Sequence, residues 1–282
     1  GGAGSGAWRR SQRRGDREAG RGALFAEASK GVSTATVNAG LRADWSSRDG
    51  TVVSPSLAAG VGVGERLRLR GSVSRGFRAP TWTERYYEDP VSIGDPELLP
   101  ETFWVGELGA RLEFGAGVYL DMAGWARRAH DLIDWARPVG APGAEPWRTR
   151  NVAAATFRGI EGELRLPEWR GASWSVRAAT TSVDAAAATG WTGRYALRPL
   201  TRSVSAHARV PFGGGFLLAV DAGVAGHAGE RRYGRADARL SYNFQDARFN
   251  LDLVNLGDAS YLDASAKPVA GRALYAGMEW RW

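Results

Sequence analysis

An all-β, antiparallel up-and-down barrel whose strands cross a membrane is the architecture this sequence predicts. Three observations predict it: apolar and polar residues alternate with period two over most of the chain, connections alternate between tight turns and long loops, and the last strand carries an aromatic terminus. Alternation over four to eight residues is the signature of a strand with two unlike faces. The 38 glycines among 282 residues argue against helices, since each glycine inside a helix costs roughly 1 kcal/mol relative to alanine.

The alternation recurs from about residue 33 onward. Val37, Ala39, Leu41, Ala43 and Trp45 alternate with Asn38, Gly40, Arg42 and Asp44. Leu67, Leu69 and Val73 alternate with Arg66, Arg68, Arg70, Ser72 and Ser74. Trp104, Leu108, Ala110, Leu112 and Phe114 interleave with Glu107, Gly109, Arg111 and Glu113, and Ala236 to Phe244 interleave with Asp237, Arg239, Ser241 and Asn243. Val204 to Val210 and Phe249 to Leu253 follow the same rule. A soluble sandwich also alternates, so the connections decide. Tight connections are expected at Lys30-Gly31, Gly64-Glu65, Gly115-Ala116, Pro167 to Gly171, Pro211 to Gly215 and Gln245-Asp246. Longer ones are expected at Ser46 to Thr51, Arg78 to Pro100, Ala136 to Trp147, Ala185 to Arg194, His227 to Arg232 and Gly257 to Ala270. Strict parity of this kind belongs to a barrel with short turns on one rim and long loops on the other. About thirteen strands are expected, where large plugged transporters have about 22, so the chain reads as a partial barrel.

The final strand orients it. Leu274, Met278, Trp280 and Trp282 fall on one face, a pattern that resembles the outer-membrane assembly signal, against the alternative of an ordinary edge strand. A periplasmic C-terminus puts the short turns in the periplasm and the long loops outside. The opening Gly1-Gly2-Ala3-Gly4-Ser5-Gly6 has neither Met nor a leader, so the expectation is a mature or truncated fragment, with residues 1–21 a glycine- and arginine-rich loop remnant and the barrel portion at 22–282.

Composition excludes other classes. The net charge of +7 is almost all arginine, spread along the chain and interleaved with acids, which is not a nucleic-acid footprint. No apolar run approaches the ~20 residues of a spanning helix, a test to which strands are invisible. Cysteine is absent, and His130, His207 and His227 lack metal-ligand spacing. No nucleophile elbow, phosphate loop or dinucleotide fingerprint occurs, so no enzyme, metal or cofactor is expected. Ser203, Ser205 and His207 share a polar face, and a lumen histidine is the simpler reading of it than a hydrolase pair. The loop acids Glu84, Glu88, Asp89, Asp95 and Glu97 offer oxygens of the kind calcium takes, against a reading as solvated surface acids.

One stretch is more specific than periodicity. Ser74-Arg75-Gly76-Phe77-Arg78-Ala79-Pro80, then Thr83-Glu84-Arg85-Tyr86, then Gly94-Asp95-Pro96-Glu97-Leu98-Leu99-Pro100-Glu101-Thr102 resemble an ordered block of the TonB-dependent outer-membrane receptors, siderophore and cobalamin receptors among them. Asp131-Leu132-Ile133, Asn151, Gly159 to Leu164, Arg198-Pro199, Val254-Asn255-Leu256-Gly257-Asp258 with Tyr261, and Gly271-Arg272 continue the resemblance in order. Asp95, Leu99, Gly257 and Trp282 depart from the family's more usual residues. For Arg75 to Pro80 a structural role is favoured, because Pro80 fixes its own φ and pushes its predecessor toward extended geometry, as a strand turning into a loop requires.

The resemblance implies active transport of a scarce nutrient, a ferric siderophore or cobalamin, by a barrel in outer-membrane lipid. The implied partners are the barrel assembly machinery, a plug domain of the same protein, the TonB complex reached through an N-terminal region, and the metal chelate or vitamin itself. The alternative is a passive porin or a barrel-anchored structural protein. Substrate contacts are expected at the extracellular rim, from Arg78, Trp82, Arg85, Tyr86, Tyr87, Trp147, Arg148 and Trp191, with Trp135 and Arg150 nearby. Guanidinium groups suit anionic chelates, while for any one of these residues a girdle or packing role is the simpler reading. Arg66, Arg68, Arg70, Glu107, Arg111, Asp237, Arg239 and Glu279 are expected to face a plug in the lumen.

Overall fold

The computed structural model describes residues 2–9, 17–143, 145–185, 190–194, 199–262 and 268–280. The chain is built of strands: β1 Gly2–Arg9, β2 Arg17–Val32, β3 Ala35–Ser46, β4 Gly50–Val63, β5 Leu67–Arg78, β6 Glu88–Asp89, β7 Ser92–Ile93, β8 Glu101–Gly115, β9 Val118–Pro138, β10 Trp147–Arg165, β11 Ser173–Asp184, β12 Trp191–Gly193, β13 Leu200–Phe212, β14 Phe216–His227, β15 Tyr233–Phe244, β16 Ala247–Val254 and β17 Ala273–Trp280. One short helix, α1 Trp82–Tyr86, interrupts them. Fourteen are full strands of eight residues or more, and β6, β7 and β12 are two- and three-residue ladders inside loops. No helix among the described residues is long and apolar enough to cross a membrane.

Residues 2–9, expected as loop, form β1 and pair antiparallel with β2 from Gly2↔Leu24 to Arg9↔Arg17, so the loop reading of the first 21 residues is corrected there. Glycine and arginine in that stretch hide the alternation on which a strand reading depends. The first tight turn is also displaced: Lys30 and Gly31 pair with Val37 and Thr36, and the chain reverses at Ser33-Thr34, with Ser33 in the left-handed region at φ 53°. The connection expected to be long at 46–51 is a three-residue turn, Ser47 to Asp49, because β3 and β4 pair out to Ser46↔Gly50. Elsewhere, among the described residues, longer connections follow β5, β9, β11, β14 and β16 and shorter turns lie at 64–66, 116–117, 213–215 and 245–246, while the connection at 166–172, expected to be tight, is longer than the one at 228–232.

The residues fall into two compact units. The first holds 1–109, 124–158 and 182–198; the second holds 110–123, 159–181 and 199–282. In the first, β2, β3, β4 and β5 form an antiparallel meander whose register keeps like with like: Ala39 faces Leu57, Leu57 faces Val73, and on the other face Gly40 meets Ser56 and Ser56 meets Ser74. Its buried apolar residues gather around Ala129, Leu132 and Ala155, packed by Phe103 and Phe157. Large apolar side chains of the alternating face are left outside that core, Leu108 at 76% exposure and Leu24 at 61%. A face this apolar and this exposed has lipid as its solvent.

In the second unit, β11, β13, β14, β15, β16 and β17 pair antiparallel in turn. Its apolar face ends, at the short-turn rim, in stacked rings: Phe212 and Phe216 lie 5.6 Å apart, Phe216 and Tyr242 4.5 Å, and Tyr242 and Phe249 6.4 Å. Register sets them side by side, since Phe216 faces Tyr242 and Tyr242 faces Phe249. This is the aromatic girdle of one membrane interface. Trp280 and Met278 continue the outward face of β17, 59% and 62% exposed, while Trp282 lies outside the described residues. Phe216→Ala removes two ring contacts from the girdle and is expected to cost about 1–3 kcal/mol, at roughly 0.5–1.5 kcal/mol per aromatic pair. Urea titration of refolding into lipid vesicles reads that difference, and an unchanged midpoint would mean that the stack contributes nothing.

Candidate functional site

The long-loop rim is built from the end of β5. Gly76 is required there, because a Cβ on it would stand 2.6 Å from the ring of Phe103. Two residues on, Arg78 donates from Nε to Glu101 at 3.0 Å and from Nη1 to Glu84 at 2.9 Å. Pro80 ends the strand, and Thr81 caps α1: the Thr81 hydroxyl accepts from Glu84 N at 3.1 Å while the Glu84 carboxylate accepts from Thr81 N at 2.7 Å. This reciprocal cap closes two open donors of the helix. Glu84 thus fixes both the start of the helix and the end of β5.

One helical turn then separates two roles. Trp82 and Tyr86, four residues apart and so on one face, stack at 5.8 Å, and the Arg48 guanidinium lies over both rings at 5.8 and 5.1 Å. Arg85 points the other way. It is 5% exposed, and its Nη2 donates to Asp49 at 2.5 Å and to the Leu98 carbonyl at 2.9 Å. Its expected place among the ligand contacts is therefore corrected: Arg85 is a buried strut, held by a carboxylate from the tight β3–β4 turn.

The rest of the motif block is framework too. A Cβ on Gly94 would lie 2.8 Å from backbone atoms of Glu84, Arg85 and Tyr86, so only glycine permits the loop to pass so near the helix. The Asp95 carboxylate accepts from Glu97 N at 2.9 Å. Asn151 accepts from Leu99 N at 2.9 Å and donates to the Leu99 and Asp131 carbonyls at 3.0 and 2.7 Å. Thr149 donates to the Glu84 carbonyl at 2.7 Å, and Glu101 accepts from Ile133 N at 3.0 Å. Of the loop acids, Glu84 and Asp95 are thus engaged by caps and pairs, and Asp89 accepts from the Tyr87 hydroxyl at 2.8 Å. No grouping of three metal-ligating side chains occurs among the described residues.

What remains at this rim for a ligand is a set of aromatic rings paired with cations. Trp147, half-buried, lies under Arg137 at 4.5 Å and Arg194 at 5.7 Å. Arg150 lies 3.9 Å over Trp191, and Tyr87 meets Trp135 edge-on at 6.5 Å. Arg148 is exposed beside them. The sequence reading named the rings but missed Arg48, Arg137 and Arg194, whose neighbouring residues carry no pattern pointing to them.

The polar face carries paired charges. Arg70 and Glu107 meet at 3.4 Å. In the second unit, Glu163 accepts from the Tyr119 hydroxyl at 3.0 Å and from Arg177 at 2.9 Å, while Arg111 lies 3.8 Å over Tyr119 and pairs with Glu113 at 3.3 Å. Arg111, Tyr119, Glu163 and Arg177 line an open concavity of about 490 Å³ together with Asp121, Glu161, Ser203 and Ser205. Arg235 pairs with Asp237 at 2.8 Å, Arg239 pairs with Asp252, and Glu279 accepts from Asn250 at 3.4 Å. His207 Nδ1 stands 2.6 Å from Asp221. Of the expected lumen residues, Arg68 is exposed on β5, whereas Arg66 sits in the turn before it rather than on a strand face. Tyr119, Glu163 and Arg177 were missed as a group, since they come from three strands.

Comparison with known proteins agrees with this architecture. The chain is 34% identical over 140 residues to the vitamin B12 transporter BtuB of Vibrio vulnificus, which is half of this chain and 21% of that protein. The siderophore receptor PirA of Pseudomonas aeruginosa superposes with a TM-score of 0.69 at 21% identity, over 93% of this chain and 46% of its own. The ferric enterobactin receptor PfeA of the same organism superposes at 0.74 with 18% identity, over 93% and 45%. This chain thus spans less than half the length of the proteins it matches. The family described as TonB dependent receptor-like, beta-barrel matches residues 1–256, and with its lipid-facing and charge-lined strand faces this chain belongs to that family of outer-membrane barrels.

Proposed function

We propose that the protein takes up a scarce nutrient, a ferric siderophore or cobalamin, across the outer membrane with energy delivered by TonB. The observation that carries this reading is that one unit presents rings paired with cations and the other a face of matched charges. The long-loop rim presents Trp82, Tyr86, Trp147 and Trp191 with Arg48, Arg137, Arg150 and Arg194, chemistry suited to a flat or anionic chelate. In the second unit, the matched charges around Glu163 suit a polar plug domain, which would lie in a part of the protein outside this chain. Loop residues bind, the plug moves, and no covalent step is involved. The passive porin reading has no observation in its favour.

Uptake of labelled cyanocobalamin and of ferric siderophores by cells expressing the full reading frame, with and without TonB, tests this. Uptake of one substrate that disappears without TonB is expected; uptake that persists without TonB would sink the proposal. Within that assay, Trp147→Ala is expected to raise the apparent Kd for the substrate about five- to tenfold, from the loss of about 1–1.5 kcal/mol of ring contact. An unchanged Kd would remove Trp147 from the binding rim.

A further inference from the structure

The outward face of the second unit is apolar along β13 at Val204, Ala206, Ala208 and Val210, and then carries Arg202 with the same parity. Arg202 lies ten residues up the strand from Phe212 in the girdle. At about 3.3 Å per residue and a tilt of about 40° that is about 25 Å, the height of the apolar band of an outer-membrane barrel. Arg202 therefore stands at the opposite interface, under the extracellular loops.

It does not stand alone. Register sets Arg202 between Thr180 and Gly226, and the space a Cβ on Gly226 would take is filled by Arg232, whose Cγ comes within 3.1 Å of it. Both arginines are exposed, and neither has an ion pair among the described residues. Below them runs a groove of about 440 Å³ lined by Leu120, Met122, Ile160, Leu164, Val176 and Val204. Glu161 and Gly162 also border the groove, between Ile160 and Leu164, while Glu163 alternates onto the other face of β10.

We propose that this groove and its two guanidinium groups form a lipid site on the outside of the barrel, holding an acyl chain below and a phosphate above. A bare arginine at the hydrocarbon boundary must find a polar partner, and guanidinium binds phosphate through two parallel hydrogen bonds. Basic residues set over an apolar strip are a recurrent headgroup site. The occupant that fits both the side of the membrane and the charge is a phosphorylated, multiply acylated glucosamine lipid of the outer leaflet.

Native mass spectrometry of the receptor, expressed from its full reading frame and extracted in detergent, tests the site with bisphosphorylated lipid A as the probe. A one-to-one adduct is expected, reduced at least fivefold in the Arg202→Gln, Arg232→Gln double variant. Val204→Trp, which fills the groove and leaves both arginines in place, should reduce it as well. Heat-modifiable gel mobility confirms that each variant is folded. Equal retention by wild type and double variant would overturn the proposal. So would equal retention of dephosphorylated lipid A or of phosphatidylglycerol, or a dimer peak that the variants abolish while lipid binding stays unchanged.

Discussion

Asp49→Ala is expected to destabilise the folded protein by about 3–5 kcal/mol, the usual cost of removing one member of a buried ion pair. Arg85 and Asp49 are each 5% exposed at the side chain, and after the substitution the guanidinium retains only the Leu98 carbonyl at 2.9 Å. An uncompensated cation would then be buried between α1 and the β3–β4 turn. Arg85→Met in the same background removes the stranded charge and should recover more than half of the loss, because the penalty belongs to the unpaired charge rather than to the missing pair. Urea-dependent refolding into lipid vesicles measures both. A single variant within about 1 kcal/mol of wild type, or a double variant no better than the single, would show that water reaches this pair and screens it.

The second large effect is expected at Asn255, in the segment Val254-Asn255-Leu256-Gly257-Asp258. Asn255 is fully buried and left-handed at φ 53°. Its Nδ2 donates to the Ala259 and Ala270 carbonyls at 2.9 and 3.2 Å, and its Oδ1 accepts from Ala259 N at 2.9 Å. One side chain thereby ties both ends of the loop between β16 and β17. Asp258 adds a second tie by accepting from Arg272 N at 2.8 Å. Asn255→Ala removes the partner of three part-buried backbone groups, at about 1 kcal/mol each, and adds about 1 kcal/mol for a left-handed alanine. A loss of about 3–4 kcal/mol and new protease cleavage in the loop are expected. Asn255→Gly relieves only the backbone part and should recover about 1 kcal/mol. If glycine restores full stability, conformation alone explains the residue and the loop ties contribute nothing.

These two residues show how differently a sequence speaks about its own framework. Asn255 lies in a motif that marks the family, yet nothing in the motif says that the asparagine is a tie rather than a ligand contact. Asp49 lies in no motif, and its partner Arg85 is 36 residues away along the chain. Arg78 and Arg85, both expected to serve ligand, are held by Glu84, Glu101 and Asp49 instead. Trp82 and Tyr86 remain at the rim because a helical turn places them on the face opposite Arg85.

The alternating pattern determined the all-β class and the faces of the strands, the lengths of the connections the two rims, and the ordered motifs from Ser74 to Thr102 and beyond the family resemblance. The reason is that period two is a local property: each residue of a strand declares its face by its own chemistry. Two turn readings failed for the same cause, at Lys30-Gly31 and at 46–51, since a glycine or a short polar run marks a reversal only when the partner strand ends there. Which arginine is buried, which carboxylate pairs with it, and which charges from β9, β10 and β11 meet at Glu163 were decided only by the tertiary structure. Strand register and loop passage set those distances, and both depend on partners remote in sequence.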